Sequence, residues 1–352
     1  MRWALVCALG LSACAGNRFV PLPKEAQVFR AVTSDGWGLS MVRYQARGKV
    51  IGPPVLLCHG VSANSRNMDL DDGHSMARYF AAHGRETWTM SLRATGDSDG
   101  VDVVKGRRVP TFDDYWQQDL PAAIALVRRE SGASEVDYVG HSMGGMILYA
   151  YLSQHGTGVH AAATLGSPTR LDLGTSLQGW AAALGALVLD RNSMVPSAFG
   201  AHVGGPILSS YTDSPVERLL YNPENVTPET WAHLLAYGTA DTSGAVGLFM
   251  AGLVTRGSLT SGDGSLDFRK GLATVTTPVL VVAGRLDRLA PTAAVRDGYD
   301  ALGGPKEWLL ISRANGALAE YGHMDLVIGE RAPDEVWSRV LDFFTRHARQ
   351  EQ

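Results

Sequence analysis

The chain is poor in cysteine. Only Cys7, Cys14 and Cys58 occur in 352 residues, which excludes a disulfide-stapled scaffold and a thiolate-rich metal site. It also lacks a surplus of either charge: 31 Lys and Arg stand against 35 Asp and Glu, with no basic block anywhere. A phosphate backbone selects clustered cations, so nucleic acid is excluded as a partner. Charged residues reach only 19%, whereas hydrophobic residues make up 45%, enough for a substantial buried core and too many for a disordered chain. Glycine is the exception to this scarcity, at 40 residues.

The N-terminus carries an apolar run, Trp3 to Leu11, behind Arg2. It is far shorter than the ~20 residues of a bilayer-spanning helix, and it reads as a signal segment. The end of the run, Leu11-Ser12-Ala13-Cys14, resembles the lipobox of bacterial lipoproteins. That resemblance implies cleavage before Cys14, acylation of its thiol and new amine, export, and attachment to a membrane of the bacterial envelope. Several acyl chains hold a protein at a bilayer where one alone binds marginally. Residues 1–13 are then the signal peptide. Residues 14–27, with Pro21 and Pro23, form a tether.

Beyond residue 27, short β-rich runs alternate with helical ones, the pattern of an α/β protein with a mostly parallel sheet flanked by helices. Val28–Ser34 and Leu39–Tyr44 predict a hairpin around Asp35-Gly36. Val55–Cys58, Thr87–Leu92, Val136–Val139, Ala161–Leu165, Val279–Ala283 and Trp308–Ile311 predict further strands. Helical patterns fall at Ser75–Ala82, Tyr115–Arg129, Met143–Gln154, Ala293–Leu302 and Asp334–Arg349. Pro121 interrupts the second of these and is expected to kink or restart it. The alternation stops between Pro168 and Pro278, where the helix-like segments Gly179–Leu189, Thr230–Tyr237 and Ala245–Val254 occur with no clear strand. Residues 28–168 and 276–352 therefore read as one interrupted core, and residues 169–275 as an inserted helical cap.

The sharpest chemical signal is Val139-Gly140-His141-Ser142-Met143-Gly144-Gly145. It follows a predicted strand and opens a predicted helix, the context of a G-x-S-x-G nucleophile elbow. So tight a turn admits only small residues two positions either side of the nucleophile, hence Gly140 and Gly144. A serine hydroxyl needs a base, and the base needs an orienting carboxylate. Of the two histidines that follow the cap, His347 lies in a polar C-terminal helix and reads as a solvated surface residue. His323 follows the last strand through a glycine-bearing loop and is the candidate base. Asp287 directly follows the strand Val279–Ala283 and is the candidate acid, with Asp325 and Asp300 as fallbacks. The oxyanion requires backbone donors. One is expected from Met143, after the nucleophile. The other is expected from Val61 in the loop Cys58-His59-Gly60-Val61, where Gly60 permits close approach. His59 reads as a support for that loop, His141 as packed, and Cys58 as buried.

Taken together, the His59-Gly60 loop, the Gly140–Gly144 elbow, Asp287 and His323 resemble the α/β-hydrolase superfamily. Within it the chain is similar to the acid lipase family of gastric and lysosomal lipases. Two segments carry that likeness: Phe112-Asp113-Asp114-Tyr115-Trp116-Gln117-Gln118-Asp119-Leu120-Pro121-Ala122, and Gly322-His323-Met324-Asp325-Leu326-Val327 with Ala332-Pro333. The chain departs from those lipases at Met143, where they carry Gln, at Gly145, where they carry a small hydroxyl residue, and around Arg93. The resemblance implies an esterase or lipase that takes a small-molecule or lipid ester of apolar acyl groups through an acyl-enzyme. No metal and no organic cofactor is expected. Acyl transfer and thioester or amide hydrolysis use the same three residues. A non-catalytic lipid-binding envelope lipoprotein is the reading from a different class.

Overall fold

The computed structural model describes residues 22–171, 190–198, 201 and 217–350. The signal segment, Cys7, Cys14 and the predicted helix Gly179–Leu189 lie outside the described residues.

Eight strands form one sheet: β1 (Gln27–Val32), β2 (Gly38–Tyr44), β3 (Val55–Cys58), β4 (Thr87–Met90), β5 (Val136–His141), β6 (Val159–Leu165), β9 (Val279–Gly284) and β10 (Lys306–Ile311). Their order is β1-β2-β4-β3-β5-β6-β9-β10. β1 and β2 pair antiparallel, β2 pairs antiparallel with β4, and the remaining neighbours run parallel. The apolar runs are continuous because both faces of a parallel sheet are covered. Leu56 and Cys58 of β3 join one core, whereas Val55 and Leu57 join the other. In the same way Val281 and Ala283 of β9 face one side, and Leu280 and Val282 the opposite one.

Helices α1 (Met76–Ala82) and α7 (Ser338–Gln350) cover one face, through Met76, Phe80, Phe343 and Phe344. α2 (Leu120–Ser131) and α3 (Met143–Ser153) cover the other, through Ile124, Val127, Met146 and Ile147. Ser75 caps α1, its hydroxyl accepting from the N–H of Arg78. Pro121 acts as expected: the chain makes one wide π turn at Tyr115–Asp119, and the regular helix restarts with the proline in its first turn. A second π turn, Pro333–Trp337, leads into α7.

Between β6 and β9 the described residues include α4 (Pro228–His233), which runs into a π turn at Leu234–Gly238, and α5 (Gly244–Arg256). α5 is apolar on more than one side. Val246, Phe249 and Leu253 pack into the core, while Met250, Ala251 and Val254 line a cavity. Three expectations need correction. The insertion is not free of strand: β7 (Met194–Val195) and β8 (Thr242–Ser243) form a two-residue antiparallel ribbon, too short to show as a β pattern. The end of the expected tether is not loose, since Leu22 and Ala26 pack on the core and Gln27 already belongs to β1. His347 is half-buried, with its ring edge-on to Phe343 at 4.5 Å.

Candidate active site

Ser142 stands between β5 and α3 with φ +54° and ψ −118°. L-residues rarely hold such a backbone, and persistence here marks a conformation imposed by its surroundings, at a cost of ~1–3 kcal/mol. The imposing contacts are visible. The Ser142 N–H donates to Leu165 O at 2.8 Å, and β5 is paired on both sides, with β3 and with β6. A Cβ on Gly144 would stand 2.5 Å from Cys58 O, and one on Gly140 2.5 Å from Gly145 N, so both positions must lack a side chain. Gly60 packs directly on the nucleophile: a Cβ there would lie 3.0 Å from the Cβ of Ser142.

Asp287 and His323 arrive from the ends of neighbouring strands. Asp287 follows β9. Its Oδ1 accepts the N–H groups of Leu289 at 2.9 Å and Ala290 at 2.7 Å. Its Oδ2 accepts from His323 Nδ1 at 2.7 Å. The backbone thus fixes the carboxylate and the carboxylate fixes the ring, leaving Nε2 of His323 for a proton at the site. Ser142 and His323 line the same cavity, of about 770 Å³, together with Gly60, Val61 and His141. Neither fallback carboxylate takes part: Asp325 accepts from Asn222 N and Asn225 Nδ2, and Asp300 pairs with Arg296 one helical turn away.

The N–H of Met143 is the first of α3 and has no carbonyl to bond within its helix. Among the described residues no protein acceptor takes the N–H of Met143 or of Val61. His59 is fully buried, and its Nδ1 bonds Gly60 O at 2.8 Å while Nε2 accepts from Leu92 N at 3.1 Å. A ring that donates at one nitrogen and accepts at the other is neutral, and burial lowers its pKa to about 4. His59 therefore braces the loop. Below it, burial pushes the Cys58 thiol up to about 12. His141 packs against the ring of His323 at 4.7 Å and directs Nε2 to His323 O at 3.2 Å.

Two features escaped the sequence reading. Gly166, directly after β6, takes φ +58°, and a Cβ there would stand 3.1 Å from Asp287 Oδ2 and 3.2 Å from His323 Nδ1. It is the floor beneath the Asp–His pair; its only sequence signal was a glycine directly after a predicted strand. Arg93 is the second. Its backbone N–H and Nε bond the two oxygens of Asp119, its other nitrogens bond Asp35, and its guanidinium lies over the Trp37 ring. The Phe112–Ala122 segment thus supplies Asp119 to the ion network around Arg93.

The sequence profile described as the alpha/beta hydrolase fold matches residues 53–329. Triacylglycerol lipase 1 of Arabidopsis thaliana is 26% identical over 346 residues, covering 89% of this chain and 85% of that protein. Lipase 1 of Drosophila melanogaster is 30% identical over a shorter stretch of 125 residues, which is 34% of this chain and 28% of that one. Among solved structures, a thermophilic esterase from Thermogutta terrifontis aligns at a TM-score of 0.62 and 17% identity, over 92% of this chain and 99% of that one.

Proposed function

The chain belongs to the alpha/beta-hydrolase fold family and is an esterase/lipase-like member of it, and from that premise we propose that it is a serine carboxylic-ester hydrolase acting on apolar acyl esters. One observation carries this reading: Ser142 and His323 line one largely apolar cavity, and Asp287 holds the far side of the His323 ring. In the proposed reaction Ser142 Oγ attacks the ester carbonyl while His323 Nε2 takes its proton. The oxyanion accepts from the N–H groups of Val61 and Met143. The alcohol leaves with the proton from His323, and water attacks the acyl-enzyme by the same steps. The cavity wall supports apolar acyl groups, with Leu220, Trp231, Leu234, Met250, Val254 and Met324 among its residues. The lipobox resemblance further supports a protein anchored through acylated Cys14 at a membrane of the bacterial envelope.

Hydrolysis of 4-nitrophenyl butyrate tests the reading. Ser142→Ala should lose about 10³-fold or more in kcat, and a fluorophosphonate probe should label the wild type at Ser142 alone. Undiminished turnover in Ser142→Ala would overturn it.

A further inference from the structure

Asp325 is a buried carboxylate that the proposed reaction leaves unused. It is 0% exposed and begins the short helix Asp325–Ile328, two residues after His323. Burial pushes its pKa up to about 7, so a carboxylate here carries a desolvation cost that hydrogen-bond donors must offset. Its Oδ2 accepts from Asn222 N at 2.9 Å and its Oδ1 from Asn225 Nδ2 at 3.2 Å. Both donors lie in the stretch between β6 and β9, 103 and 100 residues earlier in the chain.

The same stretch grips the loop on either side of His323. Before it, Gly322 lies so close to Tyr221 that a Cβ would stand 2.9 Å from the Tyr221 Cα. After it, Met324 N donates to Leu220 O at 2.9 Å. Further out, Asn222 Nδ2 donates to Glu320 O at 2.9 Å and Glu330 N to Asn225 O at 2.8 Å. Leu220, His323 and Met324 all line the cavity, so this seam runs up to the site itself. A base must stay within hydrogen-bond reach of the serine and then of the leaving oxygen. Asp287 holds the His323 ring at Nδ1, and a ring held by one bond can pivot about it unless its backbone is fixed as well. Asp325 supplies two of the bonds that fix it.

We propose that Asp325 is a positioning residue for His323: clasped by Asn222 and Asn225, it ties the loop that carries the base to the stretch between β6 and β9, so that this stretch sets the turnover rate as well as walling the cavity. The inference rests on the ester-hydrolase reading given above. Asp325 touches no reacting atom, and its contribution is the clasp rather than its charge. In Asp325→Asn the amide oxygen still accepts from Asn222 N. The amide N–H donates to Oδ1 of Asn225 once that side chain turns over, and the clasp survives.

The test is turnover of 4-nitrophenyl butyrate, with sites counted by stoichiometric fluorophosphonate labelling of Ser142. Asp325→Leu should lose about 10–100-fold in kcat per site with KM little changed. Asp325→Asn should stay within about threefold of the wild type. Asn225→Leu removes one donor and leaves Asp325 in place; its kcat should fall between those two, and it keeps the test standing if Asp325→Leu does not fold. A role in stability alone predicts a lower melting temperature with wild-type kcat per site in both leucine variants, and that result overturns the inference. So does a loss in Asp325→Asn as large as in Asp325→Leu, since the charge and not the clasp would then be what acts. Turnover that does not depend on Ser142 overturns the hydrolase reading instead. In that case the low-field proton resonance of the His323 Nδ1–H bonded to Asp287 reads the same positioning. It should broaden or vanish in Asp325→Leu and persist in Asp325→Asn, and an unchanged resonance in Asp325→Leu refutes the inference.

Discussion

His59 and His141 are buried beside the site in neutral form, and each makes the fold sensitive to acid. Both imidazoles have folded pKa values below the ordinary histidine value, that of His59 down to about 4. As pH falls, the unfolded chain takes up protons first. Stability present above about pH 6.5 is therefore lost as pH drops towards 4, on the order of 3 kcal/mol for His59 alone. Between pH 6.5 and 4.5 the melting temperature of the wild type should fall relative to that of His59→Gln; parallel pH profiles of the two would refute this account. At this scale the legible residues were those whose neighbours along the chain define their geometry. Ser142 sits in a five-residue turn, and Asp287 and His323 each follow a strand. Arg93 was not legible as a partner, because it meets Asp35 and Asp119, both distant in sequence.

Among elements, the short link after β6 has the sharpest consequence. Gly166→Ala places a methyl group against Asp287 and His323 and adds left-handed backbone strain of ~1–2 kcal/mol. Small displacements of a catalytic group are costly, so kcat should fall about 10–100-fold with KM little changed. Gly132→Ala is the matched control, with φ +73° and nothing within 4 Å of the new Cβ. It should lose comparable stability and keep its kcat; equal activities in the two variants would show that Gly166 does not position the pair. The strands of the central sheet were readable because both faces are covered and their runs are continuously apolar. The ribbon of β7 and β8 was not, since two residues carry no period. The π turn before α2 showed in sequence only as Pro121.

For the molecule as a whole, the N-terminal segment bears on where it resides. No helix among the described residues is long and apolar enough to cross a membrane, so attachment by Cys14 is a separate proposal with its own test. In a bacterial host, Cys14→Ser should move the protein from the detergent phase to the aqueous phase and leave specific activity against a soluble ester unchanged; retention in the detergent phase would refute acylation at that residue. That Ser142 precedes the break in alternation while Asp287 and His323 follow it was legible in the order of the chain. The substrate was not, because the cavity combines core loops with residues such as Trp231, Leu234 and Met250, whose spacing along the chain says nothing of the space they enclose.

The pairing of β6 with β9 also sets a timetable. β3, β5 and β6 come together through comparatively short crossovers, but β9 must find β6 across the 113 residues between Leu165 and Val279. Closing so long a loop costs entropy before any contact repays it, and such closures come slowly. Asp287 and His323 both follow β9 in the chain, so the turn that carries Ser142 has neither partner until that closure is made. Recovery of activity after dilution from denaturant should therefore report that closure and lag the return of secondary structure; recovery of both in one phase would refute a separate late step.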